Sequence, residues 1–258
     1  MDTRGDARSR YVVTTNERED LPPVTRPYVV LSCATSIDGY IDDASATRLR
    51  LSNEADFDRV DEVRAGCDAI LVGAGTIRAD DPKLLIRSPA RRQARMSRGL
   101  PSHPLKVTLT ATGDLDPSAR FFTADDPDGT DEAAKVVYTA TGAAARARTR
   151  LGAVATVVDA GDPIDLSAVL ADLTTRGVAR LMVEGGGAVH TRFLTEDLAD
   201  ELQLVIAPFF VGDPRAPRFV GPGTFPHDPT HPARLAETTQ LGEVVLLRYA
   251  LSPRYPDS

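Results

Sequence analysis

From Pro27 onward, short apolar runs alternate with amphipathic stretches, and this rhythm predicts the elements of the chain. Tyr28-Val29-Val30-Leu31 is β-prone, and Ser36-Ile37-Asp38-Gly39 after it has the composition of a turn. Further strand-like runs are Ala69 to Val72, Val107 to Leu109, Val136 to Tyr138, Val154 to Val158, Leu181 to Val183, Leu202 to Phe210 and Val244 to Leu247. Helical patterns lie between several of them. Ser52 is placed to cap a helix running to about Gly66. Leu166, Val169, Leu170 and Leu173 recur at i, i+3, i+4 and i+7 and stop at Gly177, which suits a left-handed cap. Strands alternating with helices predict an α/β fold with a mostly parallel central sheet flanked by helices on both faces. The last runs have no helix between them, so they predict antiparallel edge strands at the C-terminus. Leu202 to Phe210 is apolar enough to predict a buried sheet edge or the interface of a homodimer. Residues 87–104, rich in Arg, Ser and Pro, and residues 212–232, rich in Pro, Gly, Asp and His, read as long loops. Residues 1–24 show little apolar periodicity and read as a flexible N-terminal arm, leaving residues 25–258 as a single domain.

Composition narrows the class. At 42% hydrophobic and 26% charged residues, the chain has a globular mixture and is not a wholly disordered one. No apolar run approaches the roughly 20 residues of a membrane helix. Met1 to Arg10 are polar where a secretory signal would be apolar, so the expectation is a cytoplasmic protein without a membrane partner. Thirty Lys and Arg against 37 Asp and Glu give a net charge of −7, which argues against nucleic acid as a partner. With only Cys33 and Cys67, neither a disulfide framework nor a multi-cysteine zinc site is available, and both read as small buried hydrophobes.

The strongest local chemistry is Leu181-Met182-Val183-Glu184-Gly185-Gly186-Gly187-Ala188-Val189-His190. A buried strand ends, three glycines follow, and a helix opens with unpaired N–H groups and a partial positive charge, a natural cradle for phosphate. A strand–helix turn that merely needs glycine reads the same way, and the full dinucleotide fingerprint is absent. Val72-Gly73-Ala74-Gly75-Thr76 repeats the arrangement and leads into Asp80-Asp81-Pro82, a turn or a magnesium site; no further ligand stands at metal spacing. Arg64 falls on one helical stripe with Phe57, Val60 and Cys67, and Arg87 closes the strand-like Leu84-Leu85-Ile86. The two arginines either clamp a substrate phosphate or make surface salt bridges. His190 either faces the ligand or is a partly exposed helix residue. No Gly-x-Ser-x-Gly elbow occurs, which disfavours a serine hydrolase.

Taken in order, these motifs resemble the riboflavin-pathway pyrimidine reductases. The resemblance rests on Arg26 to Leu31 with Ser36 to Gly39, on Asp68 to Thr76 with Ala79 to Pro82 and Leu84 to Arg87, and on Val183 to Gly187 with Asp200-Glu201-Leu202 and Ile206-Ala207-Pro208. It spans about residues 26–250. It implies a dihydrofolate-reductase-like fold, NADPH as cofactor, and reduction of a 5-amino-6-ribosylaminopyrimidine 5′-phosphate, deaminated or in the 2,5-diamino form, to its ribitylamino product. It assigns Ala34, Thr76, Asp80, Gly185, Gly186, Gly187, Ala188, Val189 and His190 to the cofactor, and Arg64, Leu84, Arg87 and Glu184 to the substrate. Glu184 and Asp38 are its candidate catalytic carboxyls, as proton donor or as orienting acceptor. Fused members carry a zinc deaminase domain whose His and Cys ligands this chain lacks, so it looks like the stand-alone reductases. It has Ser32, Arg48 and Arg50 where fused enzymes tend to have Lys, Ser and Trp. A pterin or folate reductase, a paralogue in a specialised pathway and a non-catalytic nucleotide-binding protein are the alternatives. Thr112, after the Val107 strand, is a candidate for contact with the 2′-phosphate of NADPH.

Overall fold

The apolar runs form the interior of a nine-stranded sheet in the order β5-β4-β3-β2-β6-β1-β7-β9-β8. The structure is a computed structural model and describes residues 26–45, 47–124 and 133–256; the expected N-terminal arm lies outside the described residues. The strands are β1 (Tyr28–Thr35), β2 (Ala69–Gly73), β3 (Leu105–Thr110), β4 (Lys135–Thr139), β5 (Thr156–Asp159), β6 (Arg180–Glu184), β7 (Glu201–Ile206), β8 (Arg234–Leu241) and β9 (Val244–Ala250). The pairings among β1 to β7 are parallel, and β9 pairs antiparallel with both β7 and β8, as the missing final helices required.

Alternation along the strands feeds two cores. Val29, Leu31, Leu71, Val107 and Val183 face α6 (Leu166–Thr175) and α7 (Gly187–Thr195), where Leu166, Val169, Leu170, Leu173 and Phe193 complete one cluster. Ile70, Val72, Val137 and Met182 face the other way, onto Ile77 of α2 (Ala74–Asp80), Phe121 and Phe122 of α4 (Arg120–Thr123) and Leu151 of α5 (Ala144–Leu151). The buried Asp200 closes the fold: it accepts two bonds from Arg26 at 2.6 and 2.9 Å, one from Val29 N at 2.8 Å, one from Ser252 Oγ at 2.6 Å and one from Arg254 at 3.1 Å. The first strand is thereby fastened to the C-terminal segment.

Four expectations change. The first long helix, α1 (Glu54–Ala65), is capped by Asn53, whose side chain accepts from Asp56 N; Ser52 instead hydrogen-bonds the Asp56 carboxylate. Residues 87–104 are not all loop, because α3 (Pro89–Met96) starts there, with Ser88 as cap and proline in its first turn. Its buried side chains are Arg92 and Arg95, which donate to the carbonyls of Ile86 and Arg87 and of Ala65, Cys67 and Pro101, so no apolar stripe betrays it. Leu84 to Ile86 is not a strand: Leu84 is buried at φ +51°. Leu202 to Phe210 is not a sheet edge, since β7 lies between β1 and β9 and ends at Ile206, beyond which Phe210 is 70% exposed. The edge on this side of the sheet is β8, whose Glu, Thr and Gln content and bulge between Leu235 and Glu237 mask its alternation.

Candidate active site

The carboxyl ends of β6, β2 and β1 bring most of the expected site residues together. Glu184 ends β6, and its two oxygens are both taken by Arg64 of α1, at 2.6 Å to Nε and 2.6 Å to Nη2. Both side chains are largely buried, and Arg64 Nη1 also reaches the Leu85 carbonyl at 3.3 Å. Burial weakens the charged form of Arg64, but the Glu184 charge overrides it and raises the guanidinium pKa. The stripe that carried Arg64 is thus a paired one, though its character differs from the expectation: the buried residues of α1 are Asp56 and Asp61, while Phe57 and Val60 are half-buried.

The chain then turns through Gly185 and Gly186 at φ +64° and +86°, conformations that favour glycine. Thr76 of α2 is seated in this turn, its Oγ1 3.1 Å from where a Cβ of Gly186 would stand, so the two glycine-bearing turns meet. Gly187 begins α7, which has no side-chain cap; the first N–H groups of such a helix have no partner within it. A Cβ at Gly187 would lie 2.2 Å from the carbonyl oxygen of Arg218, because residues 217–222 cross the start of α7. The first turn of α7 and this crossing segment enclose a cleft of about 530 Å³ lined by Gly187, Ala188, Thr191, Arg218 and Val220. An uncapped helix start in a cleft beside a threonine hydroxyl suits an anionic dinucleotide.

The remaining residues divide. Val189 is half-buried against Gly73. His190 is fully buried, tilted against Phe219 at 5.3 Å between ring centroids, and neither ring nitrogen has a hydrogen-bond partner. Its imidazole is therefore part of the core and not of the cleft wall, and burial lowers its pKa to about 4 against the pull of Glu184. Asp80 is half-buried, with Arg48 3.6 Å away; burial raises its carboxyl pKa despite that cation, and Asp42 adds to the rise. Ala34 lies in β1 opposite Val205. Arg87 does not join Arg64: its side chain is 57% exposed and its guanidinium stands 5.7 Å from the Phe57 ring centroid, with that of Arg50 5.2 Å from the same ring.

Asp38 is occupied elsewhere. It accepts from Ser36 Oγ at 2.6 Å, Val211 N at 3.0 Å and Gly212 N at 2.8 Å, which holds the turn after β1 to the segment after β7. Desolvation works to raise its pKa, but those hydrogen bonds outweigh it and leave it lowered. Beside it, Arg218 lies over the Tyr40 ring at 4.3 Å and donates to Tyr40 Oη at 2.8 Å. Arg218, Tyr40 and Asp61 were not anticipated. Asp61 was readable, since it sits at i+4 from Phe57 and three before Arg64 on one stripe. Among the described residues no group of three or more His, Cys, Asp or Glu side chains could hold a metal, and no helix is long and apolar enough to cross a membrane.

Residues 27–247 match the family model of the RibD C-terminal domain. The 2,5-diamino-6-ribosylamino-4(3H)-pyrimidinone 5′-phosphate reductase of Archaeoglobus fulgidus is 37% identical over 193 residues, 74% of this chain and 85% of that protein. The protein of the same name from Methanothermobacter thermautotrophicus is 33% identical over 228 residues, 88% of this chain and 99% of its own. Among solved structures, a pyrimidine reductase-like protein of Corynebacterium diphtheriae superposes with a TM-score of 0.74 at 22% identity, covering 88% of this chain and 92% of its own, and shares the fold. By the match over residues 27–247 and by these relatives, the chain belongs to the RibD C-terminal domain family.

Proposed function

We propose that the protein is an NADPH-dependent reductase of a ribosylaminopyrimidine 5′-phosphate in riboflavin biosynthesis, acting on the 2,5-diamino form. The observation that carries this reading is the convergence of the Arg64–Glu184 pair, the Thr76 hydroxyl and the uncapped start of α7 at the ends of adjacent strands. The names of the relatives at 37% and 33% identity support the diamino form. The reduced nicotinamide, when bound, supplies hydride to the former anomeric carbon of the ring-opened sugar. Everything else falls to the protein.

Thr76, Asp80 and the backbone from Gly185 to Val189 would hold the cofactor, with Ala34 near the end of β1 beside it. Glu184, held rigid by two bonds from Arg64, keeps outer lone pairs free to accept from substrate hydroxyl or amine groups and so orients the reacting carbon. Arg50 and Arg87, both over the Phe57 ring, would meet the substrate phosphate. One proton must reach the substrate as the hydride adds. Asp38, already accepting three hydrogen bonds, is poorly placed to give it, and Asp80, half-buried on the same short helix as Thr76, is the other carboxyl beside the cofactor turn. The preference for NADPH over NADH is supported by cations at the turn after β3, where Arg146 donates to the Thr112 carbonyl at 2.5 Å and Arg78 to the Asp114 carbonyl at 3.3 Å. A homodimer is part of the proposal, with the exposed Phe210 region as a contact; a purely monomeric species in sedimentation would remove it.

Oxidation of NADPH and of NADH, followed by absorbance with the 2,5-diamino phosphate, its deaminated counterpart and dihydrofolate, tests the reading. Turnover of the diamino phosphate with NADPH is the expected result. Turnover of dihydrofolate alone, or cofactor binding without oxidation by any substrate, would overturn it.

A further inference from the structure

Arg87 is a surface residue by exposure, yet its backbone is among the more tightly anchored parts of the site, and the anchor is a buried carboxylate that the proposed chemistry does not use. Asp61, on α1, is 2% exposed. Its Oδ1 accepts from Arg87 N at 2.5 Å; its Oδ2 accepts from Ser88 N at 3.1 Å and from Arg91 Nη1 at 3.1 Å. The Arg87 side chain adds a longer ion pair, Nε to Oδ1 at 4.0 Å. A carboxylate withdrawn from water is retained only where its lone pairs are met, and here main-chain N–H groups at the start of α3 and one guanidinium meet them.

The same helix grips the preceding residues. Arg64, three positions on, donates to the Leu85 carbonyl, and Leu84 between the two turns of chain is held at φ +51°. Four positions before Asp61, Phe57 receives the guanidinium groups of Arg50 and Arg87. One stripe of α1 therefore holds the Leu85 carbonyl and the Arg87 and Ser88 N–H groups, and Arg87 emerges from there toward Phe57.

We infer that Asp61 is a positioning residue for the anion-binding end of the site: by fixing the Arg87 and Ser88 N–H groups it sets where the Arg87 guanidinium meets a sugar phosphate. The inference deepens the function proposed above and rests on it for the identity of the substrate, but the seat can be tested without turnover. Ribose 5-phosphate is the probe, and its Kd is measured by calorimetry for the wild type, Asp61→Asn, Arg87→Ala and the double variant. Asn keeps the size of the side chain but loses the charge and one of the two acceptor oxygens.

The expected result is coupling. Asp61→Asn raises the Kd about tenfold when Arg87 is present and less than about twofold when it is Ala. Loss by the same factor in both backgrounds would reduce Asp61 to a general structural part and overturn the inference, as would an unchanged Kd in Asp61→Asn or no binding by the wild type. If Asp61→Asn does not fold, Asp61→Glu, which keeps the charge and moves the anchor by one methylene, is read in the same cycle with the same expected coupling. A wild type that binds ribose 5-phosphate but oxidises no NADPH with the pyrimidine phosphates would sink the proposed function and leave the seat standing.

Discussion

Replacing Arg64 by Met tests the centre of the site. The change keeps an unbranched stem of similar reach and removes the two 2.6 Å bonds to Glu184 and the 3.3 Å bond to the Leu85 carbonyl. Removing one partner of a buried pair costs about 3–5 kcal/mol, because the other charge is left desolvated. Here the side chains are 18% and 16% exposed, so water reaches part of the pair and about 2–3 kcal/mol is the reasoned loss. A domain of this size loses about 2–4 °C per kcal/mol, which sets a Tm decrease of about 4–12 °C in calorimetry. The steady-state assay should show a higher KM for the pyrimidine phosphate together with a lower kcat, since Glu184 is no longer held. The pair is separated from general destabilisation by Arg64→Met combined with Glu184→Gln, whose loss should fall short of the sum of the single losses by about 1–2 kcal/mol. Additive losses, or an Arg64→Met protein within about 0.5 kcal/mol of the wild type, would refute the reasoning.

Asp200→Ala strips five hydrogen bonds from the junction of β1 with the C-terminal segment and should lower stability by about 3–5 kcal/mol in urea unfolding. Gly187→Ala puts a methyl 2.2 Å from the Arg218 carbonyl and should cost about 1–3 kcal/mol and weaken NADPH binding; unchanged Tm and Kd would mean that residues 217–222 yield freely. Arg146→Ala should raise the KM for NADPH about tenfold and leave that for NADH in place, and an equal rise for both would remove Arg146 from the 2′-phosphate. His190, buried and lowered to about 4 from 6.5, binds its proton more readily in the unfolded chain, so its contribution to stability is complete above about pH 6.5 and falls away toward pH 4. His190→Phe should flatten that window, worth roughly 3 kcal/mol at most, in urea titrations at successive pH values; an unchanged slope would mean the imidazole is not desolvated.

The sequence announces elements whose stability comes from apolar burial, and conceals those held by charge. β1, β2, β4, β6 and α6 were legible because a short run or period of Val, Ile, Leu or Met fills the buried middle of each. α3 was not, because its inward arginines bind main-chain carbonyls, a partnership no hydrophobic period records. β8 escaped because an edge strand needs only one covered face and its polar residues blur the alternation. In the site, Arg64 was suspect for lying on a core-facing stripe, and its partner Glu184 was visible at a strand end, but their pairing spans 120 residues and only the strand order brings them together. Asp38 misled for the opposite reason: a carboxylate in a turn motif reads as chemistry, whereas its bonds to Val211 and Gly212 make it a tie between two loops.

The glycines teach a similar lesson about motif reading. Gly187 is demanded by the Arg218 carbonyl, and Gly185 and Gly186 by a left-handed turn that receives Thr76, so all three have an explanation inside the protein. A ligand is not needed to account for them. What the turn does produce is a consequence of that packing: it delivers Glu184 to Arg64, aligns the uncapped start of α7 with the cleft under residues 217–222, and sets Thr76 between them. On a chain of net charge −7, Arg50 and Arg87 bring two guanidinium groups to the Phe57 ring, apart from the Arg64–Glu184 pair, while Asp56 and Asp61 are buried. A local pair of guanidinium groups on an acidic protein attracts small anions and, unlike an extended basic surface, does not recruit polyanions. The case for a phosphorylated substrate therefore rests on Arg50 and Arg87 beside Phe57, and a protein in which both are neutralised should keep its fold and its cofactor affinity while losing discrimination between the phosphorylated and dephosphorylated pyrimidine.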